Sequence, residues 1–140
     1  VVLKRKLAKR GFMTLEEILR LADEWETSAT SAAIRYAKYT SEACAVVISA
    51  DGLVKNYIPS EEAQAIGFRF LGGARRVPEV SGAASATSSD RKIVGRKAAT
   101  EDWFSGRTAE CELWEESMAL GYTGLVLTLL AFSSGDPDNE

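Results

Sequence analysis

The sequence predicts an α+β fold: a helix-turn-helix-like helical unit over residues 1–40, a small, mainly antiparallel α/β domain over residues 41–133, and a flexible tail over 134–140. Three observations predict it. Apolar residues recur three and four apart as far as residue 40, which is the helical spacing. From Cys44 the pattern changes to β-rich runs broken at Asp51-Gly52. The charge balance changes at the same boundary, since residues 1–40 hold eight basic and five acidic side chains and the remaining hundred hold nine and fifteen.

The elements follow in order. "VVLKRKLAKR" contains helix formers with a short apolar face at Leu3, Leu7 and Ala8, and Gly11 ends it. The chain begins without Met, which fits a longer chain with a catalytic unit upstream. Thr14 followed by Glu17 has the spacing of a capping box, in which the Thr side chain accepts from one free amide and the Glu reaches back to another. Leu15, Ile18, Leu19, Ala22 and Trp25 then form an apolar stripe. Ser28 caps the next helix, whose packed side is Ala32, Ala33, Tyr36 and Ala37, extended by Ile34 or Tyr39. Small Ala side chains let two helices approach closely, as a helix-turn-helix requires.

"CAVVISADGLVKNYI" predicts a hairpin, because Gly52 accepts the positive φ of a tight turn. Pro59 and "SEE" lead to a short helix or loop, and residues 66–71 to a third strand. Residues 72–106 give no secure periodicity beyond short helices near 81–88 and 100–104. "CELWEESMAL" and "GLVLTLLAF" resume the strand pattern, with Gly121 and Gly124 bracketing a turn. The last run is apolar on both faces, Leu125, Leu127 and Leu129 against Val126, Leu130 and Phe132, so it belongs in the middle of a sheet.

Composition excludes several functions. The chain has no histidine, which removes a Ser/His/Asp triad, a Cys/His pair and any His-containing zinc site. No cofactor is implied. A net charge of −3 opposes an all-over polyanion binder, and "GLVLTLLAF" is too short to span a bilayer as a helix. Cytoplasmic location is the expectation. Cys44 and Cys111 read as small buried hydrophobes rather than ligands.

The chemistry-bearing candidates are few. Glu115 and Glu116 point to opposite faces of a strand, with Glu110 and Glu112 on the Glu116 side; their expected setting is a solvated or salt-bridged sheet edge. Arg91, Lys92, Arg96 and Lys97 in "DRKIVGRK" read as a solvated loop that could meet an anion. "GFRFLGG" lacks both the dinucleotide and the P-loop fingerprints. Phe68, Phe70, Trp103, Phe104, Trp114 and Phe132 are expected in the core, while Tyr57 and Trp103 are candidates to line a small-molecule pocket around a polar anchor. Thr30, Ser31, Arg35 and Lys38 are the candidate DNA contacts of the second helix. Asp23, Glu24 and Glu26 oppose that role by placing negative charge near an approaching phosphate backbone.

"LADEWETSATSAAIRYAKYTSEACAVVISADG", followed late by "ELWEESMALGYTGLVLTLLAF", resembles the region downstream of the peptidase domain in ImmA/IrrE-type proteins. The matching positions are Leu21, Ala22, Trp25, Thr27, Ser28, Ala32, Ala33, Arg35, Cys44, Ala45, Val47, Ser49, Asp51 and Gly52. The resemblance implies a helix-turn-helix-like segment leading into a GAF-like α/β sensor module. It also implies an upstream peptidase domain or protein partner, with a small-molecule ligand and a role in transcriptional stress response. The zinc-binding H-E-x-x-H helix of that family has no counterpart in this chain, so a non-catalytic regulatory module is the expected function and a DNA-binding regulator the alternative. Glu26 and Thr27 depart from the family's usual Gly and hydrophobic residue at the turn.

Overall fold

The computed structural model describes residues 13–66, 69–70, 76–78, 81, 92–105, 112–120 and 124–133. The expected opening helix, the helix near 81–88 apart from Ser81, Phe68, Arg91, Glu110, Cys111, Gly121 and the tail lie outside the described residues. The elements run α1 (Leu15–Glu24), α2 (Ala29–Tyr39), β1 (Cys44–Ala50), β2 (Leu53–Pro59), α3 (Glu61–Ile66), β3 (Arg69–Phe70), β4 (Ile93–Ala98), α4 (Thr100–Trp103), β5 (Phe104–Ser105), β6 (Glu112–Ala119) and β7 (Leu125–Ser133). Five of the strands form one sheet in the order β2-β1-β7-β6-β4, antiparallel throughout, and β3 pairs with β5 separately. This is an α+β fold with N-terminal helices followed by a small antiparallel sheet. No helix among the described residues is long and apolar enough to cross a membrane.

The helical pair is held by local chemistry. Thr14 and Glu17 form the capping box, with Glu17 N donating to Thr14 Oγ1 at 3.2 Å and Thr14 N to Glu17 Oε1 at 3.0 Å. The α1 stripe is Leu15, Ile18, Leu21 and Ala22, with Leu19 and Trp25 only partly buried. Leu21 therefore replaces Leu19 at the centre of the expected stripe, because 18, 21, 22 and 25 follow one face. The turn closes as Thr27 N donates to Ala22 O at 2.9 Å and Glu26 N to Asp23 O at 3.2 Å, the paired bonds of a Schellman stop. Glu26 sits at φ 53, the left-handed position that glycine favours. Ser28 then caps α2 by accepting from Ser31 N at 3.0 Å. Ala32, Ala33, Tyr36 and Ala37 are buried as expected, whereas Tyr39 is 70% exposed and does not extend that side.

The sheet explains the rest of the core. Asp51 and Gly52 both have positive φ, 53 and 82, which gives the hairpin turn its tight reversal. β7 lies between β1 and β6, and its apolar residues on both faces are buried, Leu125 only partly. One face presents Cys44, Val46, Ile48, Met118, Leu127 and Leu129 to the helical pair, so helices and sheet share one apolar cluster. The opposite face presents Ala45, Val47, Leu113, Leu130 and Phe132 to a second cluster with Trp103 and Phe104. The expected strand over 66–71 is described only as the two residues of β3, and it joins the small second sheet rather than the main one.

Three expectations are corrected here. "IVGRKA" is a sheet strand, not a solvated loop; Gly95 and the charges at Arg96 and Lys97 hid its alternation. Trp114 is 36% exposed instead of core, and its ring lies across Gly95, where an added Cβ would come within 2.9 Å of the indole. β6 is not the sheet edge either, because β4 lies outside it.

Candidate functional site

The second face of the sheet carries buried polar groups in its middle. Strand alternation puts Leu113, Glu115, Ser117 and Ala119 of β6 on this side, and Glu115 is fully buried. Its carboxylate Oε1 accepts from Trp103 Nε1 at 2.9 Å and from Arg96 Nε at 3.4 Å. Arg96 stands directly opposite Glu115 in the β4–β6 ladder, so the register itself brings the ion pair together. Arg96 also reaches Asp102 Oδ2 at 3.0 Å, which ties α4 to the sheet. One position along, Ser117 and Thr128 are opposite each other on β6 and β7, and their hydroxyls lie 2.9 Å apart, both fully buried. The carboxylate expected at a solvated or salt-bridged sheet edge is thus salt-bridged, but as a buried anchor within the sheet. A charge in such a place persists only with strong partners, and the indole N–H and guanidinium supply them.

Around this anchor stands an aromatic layer. Tyr57 and Phe70 are stacked with centroids 3.9 Å apart and planes 3° apart. Phe70 and Trp103 are also near-parallel, at 6.4 Å and 12°. Phe104 meets Tyr57, Phe70 and Phe132 at steeper angles. The two pocket candidates, Tyr57 and Trp103, therefore belong to one cluster, with Phe70 bridging them. Trp103 is buried and Tyr57 half-buried. Burial, with a smaller effect of the Cys44 sulfur, pushes the Tyr57 hydroxyl up to about 12.

The candidate DNA contacts occupy the outside of α2. Ser31, Arg35 and Lys38 are exposed and share a helical face, while Thr30 is half-buried beside the α1–α2 turn. Ser31 is engaged in the cap, its backbone N–H and hydroxyl both within 3.0 Å of Ser28 Oγ. The Arg35 guanidinium lies over the Trp25 ring at 4.9 Å from the centroid. Thr30 lines a cleft of about 360 Å³ with Leu19, Asp23, Thr27 and Leu120, and the exposed acids Asp23, Glu24 and Glu26 stand at that end of the pair.

Two polar connections were invisible in the sequence. Glu116, on the helix-facing side of β6, accepts from Leu15 N at 2.6 Å and so holds the first turn of α1. Ser60, fully buried, accepts from Cys44 N at 3.0 Å and Ala63 N at 3.1 Å and donates to Glu42 O at 2.8 Å, which fastens α3 to the start of β1. The "SEE" motif signalled a helix start there; the contact to β1 spans sixteen residues and had no local signal. Cys44 is buried against this knot, and burial pushes its thiol up to about 12. Among the described residues no group of three His, Cys, Asp or Glu side chains is placed to hold a metal ion. No protein-family model and no curated protein matches the chain.

Proposed function

We propose that this chain is a non-catalytic, ligand-sensing regulatory module, the helix-turn-helix-like and GAF-like portion of a cytoplasmic ImmA/IrrE-like zinc metallopeptidase involved in transcriptional stress response. The observation that carries the reading is the asymmetry of the sheet. One face packs on the helical pair, while the other places a fully buried carboxylate, its cation and a pair of hydroxyls inside an aromatic layer. Convergent polar groups within apolar walls are the composition of a small-molecule site. A five-stranded antiparallel sheet with helices packed on one face is also compatible with the small, mainly antiparallel α/β module that the resemblance implies, which is support by analogy of fold.

The test is thermal unfolding in the presence of a panel of nucleosides, amino acids and small aromatic metabolites. A ligand of the folded state at a hundred times its Kd adds about 2.7 kcal/mol and raises Tm by several degrees. A flat response across the panel, together with an upstream coding sequence that lacks an H-E-x-x-H helix, defeats the proposal.

The alternative is a DNA-binding regulator, favoured by the shared exposed face of Ser31, Arg35 and Lys38. It requires duplex binding at low salt that weakens when Arg35 or Lys38 is reversed to Glu. Fluorescence anisotropy with a labelled duplex decides it, and absence of binding at low salt removes it.

A further inference from the structure

At adjacent positions β6 sends one carboxylate to each face of the sheet. Glu115, turned to the aromatic face, accepts from the Trp103 indole N–H at 2.9 Å and from Arg96 Nε at 3.4 Å, and Arg96 continues to Asp102 on α4 at 3.0 Å. Glu116, turned to the helices, accepts from Leu15 N at 2.6 Å. Among the described residues that amide is its one hydrogen-bond partner, and Gly95, opposite it in the β4 ladder, brings no side chain. The start of α1 is tied to other elements by Met13 N, which donates to the buried Tyr36 hydroxyl at 3.1 Å, and by Leu15 N. A continuous set of bonds therefore runs from α4 through β6 to the first turn of α1.

We propose that this set is a mechanical relay: a change in the Trp103–Glu115–Arg96 network on the aromatic face passes through residues 115 and 116 of β6 to the Leu15 amide, and the hold on the first turn of α1 changes with it. The stiffness of the link follows from the sheet. Glu115 is paired with Arg96 and Leu130, and Glu116 with Gly95 and Leu129, so both residues are held by ladders on both sides. The peptide between them is planar, and their Cα atoms stay about 3.8 Å apart. A change of rotamer at Glu115 does not absorb the movement, because a fully buried carboxylate that leaves its donors is stranded as an unpaired charge. The output has two discrete arrangements, Leu15 N bonded to Glu116 or released to water, which is what a coupling network needs at its end. The relay goes beyond the sensor reading and does not depend on it, since it connects two parts of this chain with no ligand present.

The experiment compares NMR spectra and amide hydrogen exchange of the full chain and its variants, without ligand. Trp103→Phe removes the indole N–H and keeps a ring in place. It should shift the Leu15 amide resonance and speed exchange at Leu15 about threefold or more relative to Thr27, whose amide closes the other end of α1 on Ala22 O. The ratio to Thr27 cancels a general loss of stability, which speeds both amides alike. Linkage requires the reverse effect: Glu116→Gln, which keeps the length of the side chain and removes its charge, should shift the Trp103 indole N–H resonance. Tyr57→Phe alters the same aromatic layer without touching Glu115, and should leave the Leu15-to-Thr27 ratio unchanged. Arg96→Lys takes the place of Trp103→Phe if that variant does not fold.

Equal acceleration at both ends of α1, or none at either, overturns the relay, because the helix then responds only to the stability of the whole. A Trp103 indole resonance that ignores Glu116→Gln overturns it from the other side. If Tyr57→Phe changes the ratio as much as Trp103→Phe does, the layer acts through general packing and not through Glu115. None of these outcomes bears on the ligand panel, so the sensor reading stands or falls separately.

Discussion

The two faces of the sheet solve the same problem with different materials. On the helical side, Ala32, Ala33 and Ala37 let α2 approach closely, and the buried side chains there are mostly aliphatic, with Tyr36, Met13, Met118 and Cys44 among them. On the other side, large rings and a buried carboxylate fill the space, and two short segments, β3 and α4, close it. Aliphatic packing is non-directional and tolerates small adjustments, whereas an indole bonded to a buried carboxylate holds only in one geometry. The comparison teaches where specificity is concentrated. It resides on the aromatic face, and the helical face supplies bulk stability.

Substituting the adjacent glutamates of β6 breaks the comparison most directly. Glu115→Ala strips the partner from the Trp103 indole and from one side of Arg96, and should cost about 3–5 kcal/mol in urea unfolding, the usual penalty for breaking a buried charged network. Alkali discriminates the faces next. The Cys44 thiol, on the helical side, is raised from 9.0 to about 12, and the Tyr57 hydroxyl, on the aromatic side, from 10.0 to about 12. Both are acids held neutral by the fold, so the unfolded chain binds fewer protons above pH 9. The stability they contribute is complete below pH 9 and declines as pH rises toward 12, by roughly 2 kcal/mol between pH 9 and 11 for the thiol alone. Cys44→Ala should flatten the decline from pH 9 to 10 and leave a shallower one above pH 10, to which the buried Tyr36 hydroxyl on the helical side and the Tyr57 hydroxyl contribute.

Glu116→Ala should cost about 1–2 kcal/mol by releasing the Leu15 amide, clearly less than its neighbour, because that bond lies at a half-buried helix end. Equal losses for the two glutamates would erase the distinction between the faces. The smallest effect is a gain: Glu26→Gly relieves a left-handed φ at the α1–α2 turn and should raise stability by about 0.5–1 kcal/mol, measured by the shift in urea midpoint.

Local chemistry made part of this structure readable in advance. Thr14 and Glu17 are three residues apart, and Asp51-Gly52 is a turn signal complete in itself. The two-sided apolar character of residues 125–132 placed β7 in the sheet interior, because only a central strand buries both faces. Alternation also separated Glu115 from Glu116. It could not tell which face would be dry, since that depends on Trp103 and Arg96, twelve and nineteen residues away. The Glu116 bond to Leu15 spans 101 residues and leaves no mark in any window. Strand β4 escaped for a different reason: Gly95 makes room for the Trp114 ring, and that glycine reads as a break in the pattern. For the site candidates, the ring types were visible at Tyr57 and Trp103, but not the arrival of Phe70 between them.

Glu115 and Glu116 also act as a reading frame for the strand that carries them. Because side chains alternate strictly, losing one codon just before this pair would turn Glu115 toward α1 and Glu116 toward Trp103, and each would meet the wrong partner. The ladders with β4 and β7 would be set against each other by the same slip. Inheritance should therefore tolerate substitutions along β6 far better than a single-residue insertion or deletion within it. Length, more than identity, is the quantity this segment must preserve.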